Sequence, residues 1–380
     1  MPTSTAPDLI PVPPLNLAAQ FAALRDELLR ELTEVATSGG YVLGPKVAAF
    51  ETDLARYCGT RQALGLSSGT DALLVALMAL GIGPGDEVIV PAFTFFATAG
   101  TVARTGAKPV FCDIDALTFN MDVADVERRV TPRTRAIIPV HLYGQLADMP
   151  RLLTLATAKN LAIIEDAAQV IGAADAAGSK AGSFGLCGAL SFYPTKNLNA
   201  LGDAGALTTN DANFHELCRK LLVHGSGHTY YHEQVGGNFR IDAIQAAVLA
   251  VKLKYLEQWT EARRARAARY TELIASAGLA PEHVRPPAEV HGRHVYHQYV
   301  VRAARRNELA EFLKARQIGA GVYYPLPLHL QTCFAHLGGK AGDLPHSERA
   351  AAEVLALPIY PELTDAQQGA VVAAIRAFYR

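Results

Sequence analysis

From Ala63 onward, short apolar runs alternate with longer stretches of helical spacing. The apolar runs predict strands at Ala63–Leu66, Glu87–Val90, Lys108–Asp113, Thr134–Val140, Leu161–Glu165, Ala189–Phe192 and Ala206–Thr209. Between and after them, helical spacing predicts helices at Thr70–Leu80, Ala97–Arg104, Val123–Arg129, Met149–Lys159 and Asn213–Leu222. Such alternation implies an α/β fold whose large, mainly parallel seven-stranded sheet is covered on both faces. Ahead of this region lie a Pro-, Ser- and Thr-rich arm over residues 1–14, an amphipathic helix within Leu17–Ser38, and a second helical segment at Val47–Tyr57.

Asp242 to Ala277 contains neither Gly nor Pro and reads as one long helix, long enough to join two domains. The spacing of its run RRARAAR, residues 263–269, fits a solvated outer face rather than an RNA patch. Beyond Pro281 the composition shifts, with a strand expected at Tyr296–Val301 and a helix at Arg306–Arg316. The expected organisation is a large domain over 15–255 and a small α+β C-terminal domain over 256–380.

Charge narrows the partners. In 380 residues, 35 Lys and Arg stand against 36 Asp and Glu, a net charge of −1, so nothing points to nucleic acid or an anionic membrane. No apolar stretch is long enough to span a bilayer, and the first residues lack the basic-then-apolar order of a signal peptide. The five cysteines form no CxxC pair and read as small buried residues in a reducing compartment, so the cytoplasm is expected.

Three stretches carry candidate chemistry. In SSGTDALLVALMALG, Ser67–Gly81, a strand ends in a Ser-Gly turn and a helix begins near Thr70. Its free N–H groups suit a phosphate, or the turn is a simple N-cap. In GALSFYPTKNLNALGDAGALTTN, Gly188–Asn210, Lys196 follows a buried strand and precedes a Gly-rich stretch. A desolvated lysine there can act as an imine-forming nucleophile, although a loop lysine is usually just solvated. In LAIIEDAAQVIG, Leu161–Gly172, Asp166 ends a strand where ligands sit in open α/β sheets. It could pair with a cationic ring nitrogen or cap the next helix. Together the three describe a pyridoxal phosphate (PLP) pocket. His224, His228 and His232 recur every four residues like metal ligands on one helix face, but the intervening GSG argues for a mobile loop over the active site, with no metal.

These stretches, with GIGPGDEVIVPAFTFFATA, PVFCDID, HLYGQLADM, GGNFRIDAIQAA and VYYPLPLHLQ, resemble the DegT/DnrJ/EryC1/StrS family of PLP-dependent nucleotide-sugar aminotransferases over almost the whole chain. The resemblance implies fold type I, the aspartate aminotransferase-like architecture. It implies that Lys196 attaches PLP and shuttles protons, that Asp166 pairs with the pyridine nitrogen, and that Gln169 contacts the phenolic oxygen. Phe95 would stack on the ring. Gly69 and Thr70 would hold the phosphate through backbone groups, Ser191 through its hydroxyl, and Asn238 from the neighbouring subunit of a homodimer with shared active sites. Glu165 points to the other side of its strand and is given no catalytic role. Two departures stand out. The family often has GDGGA where this chain has GDAGA, so Ala204 is expected to change the loop locally. Many members have His-Tyr-Pro where this chain has Tyr323–Pro325.

The implied reaction is ping-pong, with pyridoxamine phosphate as the intermediate cofactor form. L-Glutamate gives its amino group, and a UDP- or dTDP-linked keto-sugar receives it. The motifs look most like the C-3 aminotransferases, in particular the branch acting on UDP-2-acetamido-3-keto-glucuronate for surface polysaccharide. Arg240 is the candidate for the uronate carboxylate, unless it pairs locally with Asp242. Tyr323, Tyr324 and His329 are candidates to line the sugar site, His329 being equally compatible with a surface loop. A dTDP-3-keto-6-deoxyhexose, or its 4-keto counterpart, is the alternative acceptor. A sugar dehydratase would carry His in place of Lys196, and a non-catalytic PLP-binding regulatory protein would lack turnover.

Overall fold

The computed structural model describes residues 10–228 and 230–380. Two helices, α1 (Leu17–Ser38) and α2 (Pro45–Cys58), precede the alternating region. It runs β1 (Gln62–Leu66), α3 (Gly69–Ala79), β2 (Glu87–Pro91), α4 (Ala97–Arg104), β3 (Lys108–Cys112), α5 (Val123–Arg129), β4 (Thr134–Ile137), α6 (Met149–Lys159), β5 (Ala162–Asp166), β6 (Cys187–Ser191), β7 (Gly205–Thr209) and α7 (Ala212–Leu222). All seven expected strands form one sheet in the order β1-β7-β6-β5-β4-β2-β3. Only β7 runs against its neighbours, pairing antiparallel with both β1 and β6. Its strands are buried nearly throughout, which is why they read as continuous apolar runs rather than alternating ones.

After α7 come a two-stranded hairpin, β8 (Ser226–His228) with β9 (Tyr231–His232), and then two helices, α8 (Ala243–Leu253) and α9 (Leu256–Ser276). His228 and His232 therefore lie on hairpin strands, not on one helix face. A three-stranded sheet follows, built from β10 (Val284–Arg285), β11 (Tyr299–Ala303) and β12 (Val354–Leu357), with α10 (Arg306–Lys314), α11 (Pro345–Glu353) and α12 (Asp365–Tyr379) around it. β11 starts three residues later than the periodicity predicts, because Tyr296 takes a positive φ of 44° and stacks on His294 instead of extending the strand. No helix among the described residues is long and apolar enough to cross a membrane.

Three expectations are corrected here. The stretch 242–277 is two helices, broken at Lys254–Tyr255. Packing, not a breaker residue, sets the break: Lys252 is buried with its ammonium 2.6 Å from Asn199 Oδ1, and Leu256 must enter the core beneath β6. The arginine run is not all solvated. Leu256, Thr260, Arg263, Ala267, Tyr270 and Ile274 form one buried stripe at helical spacing, and Arg263 is on it. Finally, four cysteines are buried, but Cys333 is exposed in a 3₁₀ turn over Thr332–Leu337.

Glu165 and Asp166, adjacent on β5, face opposite sides of the sheet. Glu165 is fully buried and accepts N–H bonds from Gly182, Phe184 and Gly185, plus the Nε2–H of His141 at 3.0 Å. His141 Nδ1 accepts from Ala147 N–H, so Nε2 carries the proton. The carboxylate is thus saturated by structure and ties the 182–185 turn to the sheet.

Candidate active site

A cavity of about 650 Å³ opens at the carboxyl ends of β1, β5 and β6, where an open α/β sheet leaves room for a ligand. Lys196, Asp166, Gln169, Ser191, Gly69 and Thr70 all line it. They come from three separate stretches, the start of α3, the end of β5 and the end of β6 with its following loop, and the sheet order brings these together.

The phosphate-type cradle is built by α3. Ser68 is its N-cap, and its Oγ accepts from Asp71 N–H at 3.0 Å while Ser67 and Ser68 both donate to Asp71 Oδ2. The capping and anion-binding readings of this turn are therefore compatible. The cap satisfies Asp71, and the Gly69 and Thr70 N–H groups have no helical partner. Glycine is required on two sides of this cradle. A Cβ on Gly69 would lie 2.7 Å from Ser191 Cβ, and one on Gly205 would lie 2.3 Å from the Ser68 carbonyl carbon. Gly205→Ala should push the start of α3 away, weaken cofactor binding at least about tenfold and cost about 1–3 kcal/mol of stability, read by cofactor titration and thermal melting. Ala204, next to it, keeps a negative φ and is buried with its carbonyl accepting from Phe192 N–H at 2.8 Å, so the departure from GDGGA imposes no unusual backbone.

Lys196 sits in the loop between β6 and β7. Asn199 braces this loop through Pro194 O at 2.8 Å, and Asn197 through Val295 O at 3.2 Å. Desolvation lowers its amine to about 8, although the nearby Asp166 carboxylate works the other way. Across the cavity, Asp166 accepts from Thr98 Oγ1 at 2.8 Å and from Ala168 N–H at 3.3 Å. Burial nevertheless raises its pKa, the opposite of what a satisfied carboxylate shows. Gln169 accepts from Tyr143 N–H at 2.7 Å and donates to Tyr324 OH at 3.2 Å.

The aromatic wall is Phe95, Tyr323 and Tyr324. Phe95 is 57% exposed and leans on Tyr324 with centroids 6.2 Å apart, so it is not core packing. Tyr143 OH donates to the Tyr323 carbonyl and fixes this segment. The residues fit PLP. A buried carboxylate makes no close ion pair among the described residues, an amine is desolvated, a helix start offers unpaired N–H groups, and a flat exposed ring lines the same space.

Three expected site residues lie elsewhere. His329 is corrected: it is only 3% exposed, bonds Glu348 at 3.2 Å, and lines neither the cavity nor the surface. Asn238 and Arg240 do not line the cavity of their own chain. Arg240 also makes no ion pair with Asp242 among the described residues. Both sit at isolated bridges, Asn238 opposite Val223 and Arg240 opposite Leu66, and a spacing of two puts their side chains on one face. Sequence reading missed Thr98, which holds Asp166; its place on α4 close to PAFTFF gives no signal of that contact. It also missed His297, whose Nδ1 is 3.0 Å from Asn197 Oδ1, and Arg263; both line the cavity.

Comparison with known proteins places this geometry. The model of the DegT/DnrJ/EryC1/StrS aminotransferase family matches residues 22–376. A Geobacillus stearothermophilus protein named "Pleiotropic regulatory protein" is 52% identical over 370 residues, covering 97% of this chain and 99% of its own length. The Acidithiobacillus ferrooxidans UDP-N-acetyl-3-dehydro-alpha-D-glucosamine 3-aminotransferase is 43% identical over 365 residues, covering 96% of this chain and 97% of its own. The crystal structure of Streptomyces venezuelae DesV in complex with a ketimine intermediate superimposes with a TM-score of 0.93 at 43% identity, covering 97% of this chain and 98% of that one.

Proposed function

This chain belongs to the DegT/DnrJ/EryC1/StrS aminotransferase family, and on that premise we propose that it moves the amino group of L-glutamate to C-3 of UDP-2-acetamido-3-keto-glucuronate. At the coarser level it is a PLP-dependent aminotransferase of fold type I acting on nucleotide-linked keto-sugars. The Acidithiobacillus relative, by its name, aminates C-3 of a UDP-linked 2-acetamido sugar, which supports the ring position and the nucleotide. The observation that carries the uronate is Arg240, a guanidinium without an acidic partner among the described residues, on the same face as Asn238. In a homodimer that shares its sites, the two would enter the neighbouring cavity together. Such an arginine grips a carboxylate with two parallel bonds. The reading includes a cytoplasmic setting and a division at 255/256, supported by the helix break there.

The geometry supports a role for each residue. Gly69, Thr70 and Ser191 would hold the cofactor's phosphate, Asp166 its ring nitrogen, and Phe95 its face. PLP, when bound, supplies an electron-withdrawing ring that spreads the charge left by removal of a proton next to nitrogen. Asp166 would favour the cationic ring. Lys196 Nζ, lowered to about 8, is the base and acid that takes a proton from one carbon and returns it to another. Gln169, bonded to Tyr324 OH, would contact the ring's oxygen.

Titrating the yellow holoprotein with L-glutamate tests this. The visible absorbance should fall as one equivalent of 2-oxoglutarate appears, and the uronate should restore it at least about tenfold faster than dTDP-3-keto-6-deoxyhexose. Arg240→Ala should erase that preference. Faster recovery with the deoxyhexose would overturn the acceptor. If no amino acid bleaches the protein, the regulatory reading suggested by the Geobacillus relative's name takes over.

A further inference from the structure

Arg263 is a charged residue on an otherwise uncharged buried stripe, 5% exposed, at the wall of the reaction cavity. No carboxylate lies within ion-pairing distance of it among the described residues, although Arg264, Arg266 and Arg269 along the same helix all reach one. Its Nη1 donates to two neutral carbonyls, Ile359 at 2.8 Å and Tyr296 at 3.4 Å, which fix the guanidinium plane. Its Nε and Nη2 have no protein partner among the described residues. Burial lowers its pKa to about 10, opposed by the distant Glu362, so it is a cation at neutral pH. A buried, unpaired cation is costly to keep, and the cavity is where its counter-ion can enter. Of the two acids in that cavity, Asp166 faces Lys196 and Asp203 is exposed. Gln298, two residues along from Tyr296, lines the same cavity with its carboxamide oxygen buried and unpartnered. A fixed cation in the wall of a transaminase cavity matches the carboxylate that every amino-acid donor carries.

We propose that Arg263 is the carboxylate anchor of the amino donor. This rests on the transaminase reading above but not on the identity of the donor. Because the guanidinium is oriented by two carbonyls, it meets the donor ready-placed.

The test compares Arg263→Gln and Arg263→Lys with the parent holoprotein. The donor concentration giving half-maximal bleaching should rise about 10- to 100-fold in Arg263→Gln and be partly restored in Arg263→Lys, since a charge-assisted bond is lost and then replaced. The half-saturating keto-sugar concentration should not move. Calorimetric titration of succinate, a carboxylate that cannot react, should show binding to the parent protein that Arg263→Gln loses. If Arg263→Gln fails to fold, Arg263→Lys, which keeps the charge but not the paired N–H groups, should still raise the half-saturating donor concentration alone. If L-glutamate is not the donor, whichever amino acid bleaches the protein should show the same shift, so that failure stays separate. An unchanged donor dependence, a shift confined to the keto-sugar, or no succinate binding to the parent protein would each overturn the proposal.

Discussion

Lys196→Ala should lower amino transfer by at least about 10⁴-fold while leaving the fold intact, because the residue combines the covalent attachment and the proton shuttle. Its loop is held by Asn197 and Asn199 rather than by the lysine itself, so truncation removes the amine without freeing the backbone. Two readouts isolate the amine. Borohydride should fix cofactor to the parent protein and not to the variant. In the cofactor-free parent, the rate of covalent attachment should climb about tenfold per pH unit and flatten near pH 8, because the neutral amine is the nucleophile and burial lowers its pKa to about 8. An undisturbed lysine would keep climbing towards 10.5. A profile still rising at pH 9.5 would show that the cavity does not desolvate this amine.

Asp166→Asn should split two measurements that usually move together. The amide is the same size and can still accept from Thr98, so the pocket keeps its shape. In the cofactor-free protein the substitution removes a buried carboxylate whose pKa is raised by desolvation, so thermal stability should hold or rise near neutral pH. The sign follows from that raised value. A carboxylate harder to ionise when folded favours the folded state only where it is protonated, and that contribution is lost as pH climbs through its folded pKa. With cofactor, the variant lacks the negative partner of the ring nitrogen. Breaking such a pair costs about 3–5 kcal/mol, or roughly two to three and a half powers of ten in kcat. A variant that melts lower without cofactor and keeps its turnover would refute both halves.

Periodicity was informative wherever one residue's surroundings were set by its neighbours in sequence. The seven strands and the helices between them were legible because both faces of the sheet are covered, leaving apolar runs such as Glu87–Val90, observed as Glu87–Pro91. Sites of tertiary origin were not. The break at Lys254–Tyr255 has no Gly or Pro to announce it; it lies between two tertiary anchors, Lys252 on Asn199 and Leu256 in the core. Arg263 was hidden by its own run: three arginines that do reach carboxylates mask the one that shares the spacing of Ala267, Tyr270 and Ile274. That spacing was the available signal. His329 lies near Tyr323 and Tyr324 in sequence, but it turns away to pair with the half-buried Glu348. Asn238 and Arg240 belong to a question that a single chain does not pose.

The stripe along α9 also bears on how the molecule comes apart. Leu256 is packed in the same core as Phe50 and Leu190, whereas Ala267, Tyr270 and Ile274 are packed in the core of Tyr299 and Val301. A single rigid rod of 21 residues is thus rooted at one end in each hydrophobic body. Melting either body strips the rod of half its burial, and an isolated helix of mixed polarity does not hold itself together in water. Urea should therefore denature the protein in one transition, with tyrosine fluorescence and far-ultraviolet circular dichroism coinciding, and limited trypsin digestion should yield no folded fragment that begins near residue 256.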